Sequence, residues 1–419
     1  MPRTIHIIGA GLAGLSAAVR LATPDNRVVV HEATAFAGGR CRSYHDASVG
    51  MTIDNGNHLL LSGNHAALAF LRAIGSAHRL IGPPTAEFPF VDLKSRARWT
   101  LHVNDGRLPF WIFDSKRRVP GTHALDYLSM ARLLWPRSDS TVGDVIACKG
   151  ALYSSLTEPL LLAALNIDPP QGSAKLAAAV IRETLAAGGR ACRPLIARDG
   201  LAPTLIEPAL EYLRSRGVMV RLEHQLRAIR FEPTRIAALD FGDESVTLDE
   251  ADAVILAVPP YAAAALVPGL TVPNAFRAIV NAHFRIEPPA AQPPILGVIN
   301  ATTQWIFAFP GRLSVTVSAG DALLDTPREQ LARMIWAEVA QASALAAESL
   351  PPDLPPWQIV RERRATFAAT VEQDRRRPGP QTAWRNLLLA GDWTNTGLPA
   401  TIEGAVRSGN RAAEWIARS

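Results

Sequence analysis

The sequence predicts an α/β protein in which a Rossmann-like dinucleotide-binding domain is interleaved with a mixed α+β substrate domain. Three observations predict it: a glycine-rich turn between a strand and a helix near the start, an acidic residue closing the next strand, and a return to strand, loop and helix over residues 386–418. The length, 419 residues, exceeds what one hydrophobic core usually organises, so two domains are expected.

The first element is a strand over residues 4–8, followed by the turn Gly9, Ala10, Gly11, Leu12, Ala13, Gly14, a helix over 12–21 and a second strand over 27–31. This β-α-β order demands parallel pairing. Residues 64–190 read as a mixed insertion, with helices at 66–74 and 124–134 and a strand at 99–103. An amphipathic helix over 200–216 then leads through Gly217 into a strand at 218–222 and a hairpin-rich stretch ending near Phe241. A strand at 253–258 precedes a second mixed region, which lasts to about Trp384. The dinucleotide domain is accordingly assigned to residues 1–63, 195–258 and 384–419, and the substrate domain to 64–194 and 259–383. The uncharged stretch between Asp252 and Arg277 is broken by Pro259, Pro260, Pro268 and Pro273, so it reads as a buried strand and a short helix rather than a membrane span. The Pro-rich runs at 288–294 and 351–356 read as stiff extended loops.

Composition narrows the function. Apolar residues at 48% and charged residues at 19% describe a core-forming protein and exclude disorder. The net charge of +5 is spread along the chain, so no nucleic-acid partner is expected. One local cluster, Lys116, Arg117 and Arg118, follows the apolar residues 108–113; an exposed turn beside a buried strand and a membrane-surface contact both fit it. Cys41, Cys148 and Cys192 have neither paired nor zinc-like spacing, so neither a disulfide framework nor a metal site is expected. A cytoplasmic location follows, with peripheral contact at the inner face of the cell membrane left open. Met1 runs almost directly into the first strand, so no signal peptide is expected.

The chemistry starts at the glycine turn. Gly9, Gly11 and Gly14 fit G-x-G-x-x-G, which lets a pyrophosphate approach a helix N-terminus at Leu12 and Ala13. Glu32 stands where a carboxylate accepts hydrogen bonds from a ribose and repels a 2'-phosphate, which disfavours NADP in this position. Shortly after it come Gly38, Gly39 and Arg40; behind a dinucleotide fingerprint, an arginine fork suits the second half of an FAD pyrophosphate. This combination resembles the start of the flavin-containing amine oxidase and phytoene desaturase superfamily. The run from Leu387 to Trp393 resembles that superfamily's closing strand, and the resemblance places Gly391 and Asp392 on the FAD. Thr401 and Ile402 look like the helix start whose amides face the isoalloxazine ring. Leu226 looks like a backbone contact to the adenine, and Gly56 and Asn57 lie in a segment that resembles one passing the flavin.

Several stretches resemble one subfamily more closely, the hydroxysqualene dehydroxylases of squalene and hopanoid biosynthesis. These are residues 54–58, 164–167 with 173–174, 364–368, and 391–394 with 397–409. The sequence has only Lys94, Lys116, Lys149 and Lys175, so it lacks the lysine that amine oxidases place near the flavin in their second substrate segment. No cysteine follows Cys192, which makes the expected FAD non-covalent. The resemblance implies reductive loss of an allylic hydroxyl from a C30 isoprenoid lipid, in functional coupling with squalene-synthase-like enzymes. Such a reaction needs an acid for the leaving hydroxide, an apolar shelter and a hydride donor. His58 is the first candidate acid and Asp54 the second; Arg364 and Thr366 are further candidates. NADPH or a partner reductase would supply electrons. A carotenoid-type desaturase or isomerase, and a non-catalytic FAD-binding isoprenoid carrier, are the alternatives.

Overall fold

A computed structural model describes residues 3–344 and 350–418. Its nucleotide sheet has five parallel strands in the order Met219–Arg221, Asn26–His31, Arg3–Ile8, Ala253–Leu256, Leu387–Leu389. Register is direct, with Ile5 opposite both Val28 and Ala253. The strands read as continuous apolar runs because both faces are covered. One face packs on helix Leu12–Leu21, helix Ile402–Arg418 and helix Glu207–Ser215. The other packs on the antiparallel strands Ala228–Phe231, Ile236–Asp240 and Ser245–Thr247, and on helices Glu158–Leu165 and Ala174–Glu183. The two chain ends interlock: the Ser16 hydroxyl donates to the carbonyl of Val406 at 3.3 Å.

A seven-stranded sheet lies beside this domain in the order Trp357–Phe367, Phe276–Arg285, Arg312–Val317, Trp305–Phe309, Ile295–Ile299, Ala86–Asp92, Arg98–Val103. Helix Arg328–Ala344 buries Leu331, Ile335, Trp336 and Val339 against it. All of these strands come from the two segments assigned to the substrate domain.

Three expectations shift. The helix expected over 200–216 opens as a π-turn, Ala202–Ile206, before the α-helix Glu207–Ser215, because Pro203 and Pro208 lack the N–H groups a regular helix requires. The helix expected over 124–134 is a 3₁₀ turn, Ala124–Tyr127, continued by a short helix, Leu128–Arg132. The boundary at residue 63 leaves helix His65–Ala73 in the substrate part, yet Ala67, Phe70 and Leu71 pack into the nucleotide core. Their i, i+3, i+4 spacing makes one apolar face, and Glu403 of the last helix accepts hydrogen bonds from the amides of Ala66 and Ala67 at 3.1 and 2.8 Å.

Beneath the sheet runs a polar feature that periodicity cannot reveal. His6 Nδ1 meets His31 Nε2 at 3.1 Å, and His31 Nδ1 meets His224 Nδ1 at 2.9 Å. Burial, chiefly, then His6 and His224, push His31 down to about 3. Burial likewise pushes His283, in the second sheet, down to about 3. Both are neutral when folded and titrate near 6.5 when unfolded, so the unfolded chain binds protons first. Their stabilisation is complete above pH 6.5 and is lost as pH falls toward 3. The expected result is a Tm that is level from pH 8 to 7 and declines below about 6.5, with a shallower decline in His283→Gln. A Tm that does not move between pH 7 and 5 contradicts this.

Candidate functional site: a flavin cradle beside a polar hairpin

The cradle begins where the first strand ends. The Gly9 amide donates to the carbonyl of His31 at 2.6 Å, closing the turn onto the neighbouring strand. A Cβ on Gly14 would stand 1.9 Å from the Gly9 carbonyl oxygen, so the helix can approach its own turn only with glycine there. A Cβ on Gly11 would meet nothing within 4 Å; this open space lies at the helix N-terminus, where the amide of Ala13 makes no hydrogen bond among the described residues. Gly38 donates to the carbonyl of Ala10 at 2.8 Å, laying the second glycine pair along the first turn, and a Cβ on Gly39 would stand 3.6 Å from the Gly11 Cα. Glu32 is tied to the same turn: its carboxylate accepts from the Ala10 amide at 2.8 Å and from the Thr34 amide and hydroxyl at 3.0 and 2.9 Å. Leu226 is buried, and its backbone N–H and C=O make no hydrogen bond among the described residues. A cavity of about 390 Å³ opens beside it, lined in part by Ala33, His224, Arg227 and Phe241.

Arg40 and Asp392 meet. The guanidinium donates to the Asp392 carboxylate at 2.7 Å and also to the carbonyl of Ala365. Asp392, the nearest negative charge, holds the arginine above its ordinary pKa. The loop carrying Asp392 starts at Gly391, whose amide donates to the Ser408 hydroxyl at 2.9 Å. It is held by Arg377, whose fully buried side chain donates to the carbonyls of Asp392 and Thr394 at 3.2 and 2.5 Å and to the Asp374 carboxylate at 3.0 Å. Arg377→Leu should therefore cost about 3 kcal/mol, the lower end for breaking a buried ion pair, and should loosen flavin retention. Urea denaturation and the flavin-to-protein absorbance ratio measure both; unchanged values would contradict the role. Downstream, Thr401 caps helix Ile402–Arg418, its hydroxyl accepting from the Gly404 amide at 3.0 Å. The amides of Ile402 and Glu403 make no hydrogen bond among the described residues.

The third part is the hairpin Ser43–Asp46 and Met51–Asp54 with the segment that follows it. Asp54 is 2% exposed, and its carboxylate accepts from the Ser43 hydroxyl at 2.6 Å, the Leu201 amide at 2.8 Å and the buried Arg312 guanidinium at 3.2 Å. Those bonds make it an organising group. Asn55 donates to Glu362 at 3.2 Å, Gly56 lies against Asn281, and Asn57 donates to Thr316 at 3.1 Å. The Asn57 side-chain oxygen is buried with no hydrogen-bond partner among the described residues. His58 is half-buried and its ring makes no hydrogen bond among the described residues. Burial first, then the positive charge of Arg40, push it down to about 4 against the opposing pull of Asp54. A histidine near its midpoint at neutral pH is thus not what the fold makes; His58 is a neutral imidazole there. Thr366 is bound by Asn166 at 2.9 Å, and Arg364 stacks on Tyr261 at 4.6 Å. Neither is placed beside His58 by any of these contacts. Arg312, Asn281 and Glu403 went unread in the sequence because each acts on a partner far away along the chain; Arg377 went unread because its partners within twenty residues are mainly backbone carbonyls.

An open glycine, unbonded helix-start amides at two places, an arginine at the second glycine pair and a backbone edge at Leu226 are groups that could hold a dinucleotide. The family model for flavin containing amine oxidoreductase matches residues 12–417. A hydroxysqualene dehydroxylase of Rhodopseudomonas palustris is 59% identical over 417 residues, covering 99% of each chain. The chain belongs to this flavin oxidoreductase family. A second member, a hydroxysqualene dehydroxylase of Sinorhizobium fredii, is 58% identical over 414 residues, covering 99% of this chain and 98% of the other. Among solved structures, cyclohexylamine oxidase from Brevibacterium oxydans superposes with a TM-score of 0.71 at 15% identity, over 100% of this chain and 99% of that one. That likeness shows the shared flavin-enzyme fold. This family member is therefore a flavin-dependent oxidoreductase. No helix among its described residues is long and apolar enough to cross a membrane.

Proposed function

We propose that this enzyme removes the allylic hydroxyl of hydroxysqualene reductively, giving squalene and water. Full-length identity to the named dehydroxylases carries the reading. The carbon–oxygen bond breaks, the departing hydroxide takes up a proton from solvent and leaves as water, and a hydride forms the new carbon–hydrogen bond. FAD, held without a covalent bond and reduced by NADPH or a reductase, would supply that hydride.

The chain's own residues divide the remaining work. Arg40, the turn at Gly9, Gly11, Leu12, Ala13 and Gly14, and Gly39 hold the diphosphate; Glu32 and Leu226 hold the adenosine end; Gly56, Asn57, Gly391, Asp392, Thr401 and Ile402 bound the flavin end. His58 faces the reacting carbon as a neutral imidazole that donates a hydrogen bond to the departing hydroxyl, and Asp54 keeps the His58 segment in place. Leu59, next to His58, packs in a cluster with Ile196, Ile295, Phe307 and Phe309. That apolar wall, in residues 64–194 and 259–383 for the most part, is suited to a polyene and excludes water from a delocalised cation. A C30 lipid also calls for cytoplasmic action at the inner membrane surface, beside the squalene-synthase-like enzymes that supply the substrate.

The test supplies purified protein with hydroxysqualene and a chemical reductant and identifies lipids by mass spectrometry. Squalene is the expected product. Its absence, together with polyene desaturation by the oxidised enzyme, would overturn the reading in favour of a carotenoid-type desaturase; a bound flavin that fails to turn over with any lipid would make the protein a carrier.

A further inference from the structure

We infer that residues 107–137 form a docking face whose partner is an anionic lipid bilayer; this deepens the proposed function, since it rests on a substrate that resides in lipid. Two short turns build the face. Phe110–Phe113 and Ala124–Tyr127 each turn one aromatic side chain inward, and Trp111 meets Tyr127 edge-on at 5.1 Å. Met130 adds to this buried anchor. With those residues inside, their neighbours must point out: Leu108, Phe110, Phe113, Leu125, Leu128 and Trp135 are 60–80% exposed. Six of the eleven large apolar side chains exposed among the described residues thus fall within 28 positions. Leu125 stands on the first turn, Leu128 opens the short helix that continues it, and Trp135 lies just past that helix's end at Arg132. Soluble proteins scatter such residues singly, and a concentrated group marks an interaction surface.

Charge selects the partner. The same segment carries Arg107, Lys116, Arg117, Arg118, Arg132 and Arg137 against Asp114 and Asp126. Arg118 is committed to the carbonyls of Ile112 and Thr122 at 3.0 and 2.8 Å. Arg107, Lys116 and Arg132 are exposed and make no ion pair among the described residues. Two copies of this net-positive face would repel each other. Anionic headgroups satisfy the cations while the acyl boundary takes the leucines and aromatics. The face lies on the outer side of the cluster that holds Phe90, Leu101, Leu156 and Ile299, within the segments proposed to hold the substrate.

The FAD-loaded protein should float with vesicles containing about 30% phosphatidylglycerol in phosphatidylcholine, and at least about tenfold less with phosphatidylcholine alone. The variant Phe110→Ser with Leu125→Ser should lose flotation about tenfold while keeping its flavin and Tm, because neither side chain is in the core. It should match the parent on detergent-dispersed hydroxysqualene and fall behind on vesicle-embedded substrate. A parent that stays at the bottom of the gradient, or a variant that floats as well as the parent, overturns the inference. So does a parent dimer that the variant dissociates without any vesicle binding, which would make the face a contact between copies. A parent that floats yet converts neither form of substrate supports the docking face and defeats the dehydroxylase reading alone.

Discussion

His58→Ala should lower single-turnover dehydroxylation by about 10²- to 10³-fold, the range for losing one fixed hydrogen-bond donor to a developing negative charge, while leaving flavin content unchanged. The flavin is spared because the His58 ring bonds to no described residue that the cradle depends on. The form of the effect follows from the pKa. Burial and Arg40 put His58 at about 4, so the imidazole is neutral above that value and acts through a fixed N–H rather than through an imidazolium. The rate should therefore show no His58-dependent inflection between pH 6 and 8 in a site that keeps this pKa. His58→Gln, which retains an N–H donor, should recover part of the loss. Seating a diphosphate against Arg40 would offset one of the two downward pushes, so ring titration followed by NMR should give a higher pKa in the FAD-loaded protein than in the apoprotein. Turnover within twofold of the parent in His58→Ala would remove the residue from the chemistry.

The second large effect separates two glycines of one motif. At Gly11 the backbone has φ −74° and ψ 176°, which any residue adopts, and an added Cβ meets no atom within 4 Å. Gly11→Ala should leave apoprotein stability unchanged, or raise it by up to about 1 kcal/mol through the unfolded chain. The methyl group occupies the space a pyrophosphate needs, so FAD affinity should fall about tenfold or more, some 1.4 kcal/mol per decade. Gly14→Ala differs in kind: its Cβ would stand 1.9 Å from the Gly9 carbonyl, and relieving that overlap should cost about 3 kcal/mol whether or not flavin is present. Flavin titration and thermal melts of both apoproteins decide this. Equal destabilisation by the two substitutions would mean that Gly11 serves packing rather than the cofactor.

The parts of the fold that could be read from sequence are those whose signals are contiguous. The strand, turn and helix over residues 3–21 satisfy their own periodicity and glycine needs, and Glu32 and Arg40 follow at short range. The closing strand Leu387–Leu389 and helix Ile402–Arg418 are equally local. What escaped depends on distant partners. Arg312 reaches Asp54 across 258 positions, and inside the run Arg312–Val317 nothing marks it as other than an edge charge. Glu403 looks like an ordinary first-turn acid until helix His65–Ala73 arrives at its carboxylate. The run Ile295–Ile299 is apolar at nearly every position, which periodicity cannot assign to a strand or a helix. Its parallel pairing with Ala86–Asp92 shows why: it is an inner strand of the second sheet, buried on both faces. His58 was visible as a candidate, but its low pKa arises from burial and from Arg40, neither of which spacing encodes.

Anaerobic single turnover in deuterium oxide follows the hydride itself: the flavin is reduced chemically, hydroxysqualene is added, and flavin absorbance and labelled lipid are followed together. One squalene should form for each flavin reoxidised, carrying one deuterium delivered as hydride. Flavin that stays reduced, or squalene that forms without the label and without reoxidation, would contradict it.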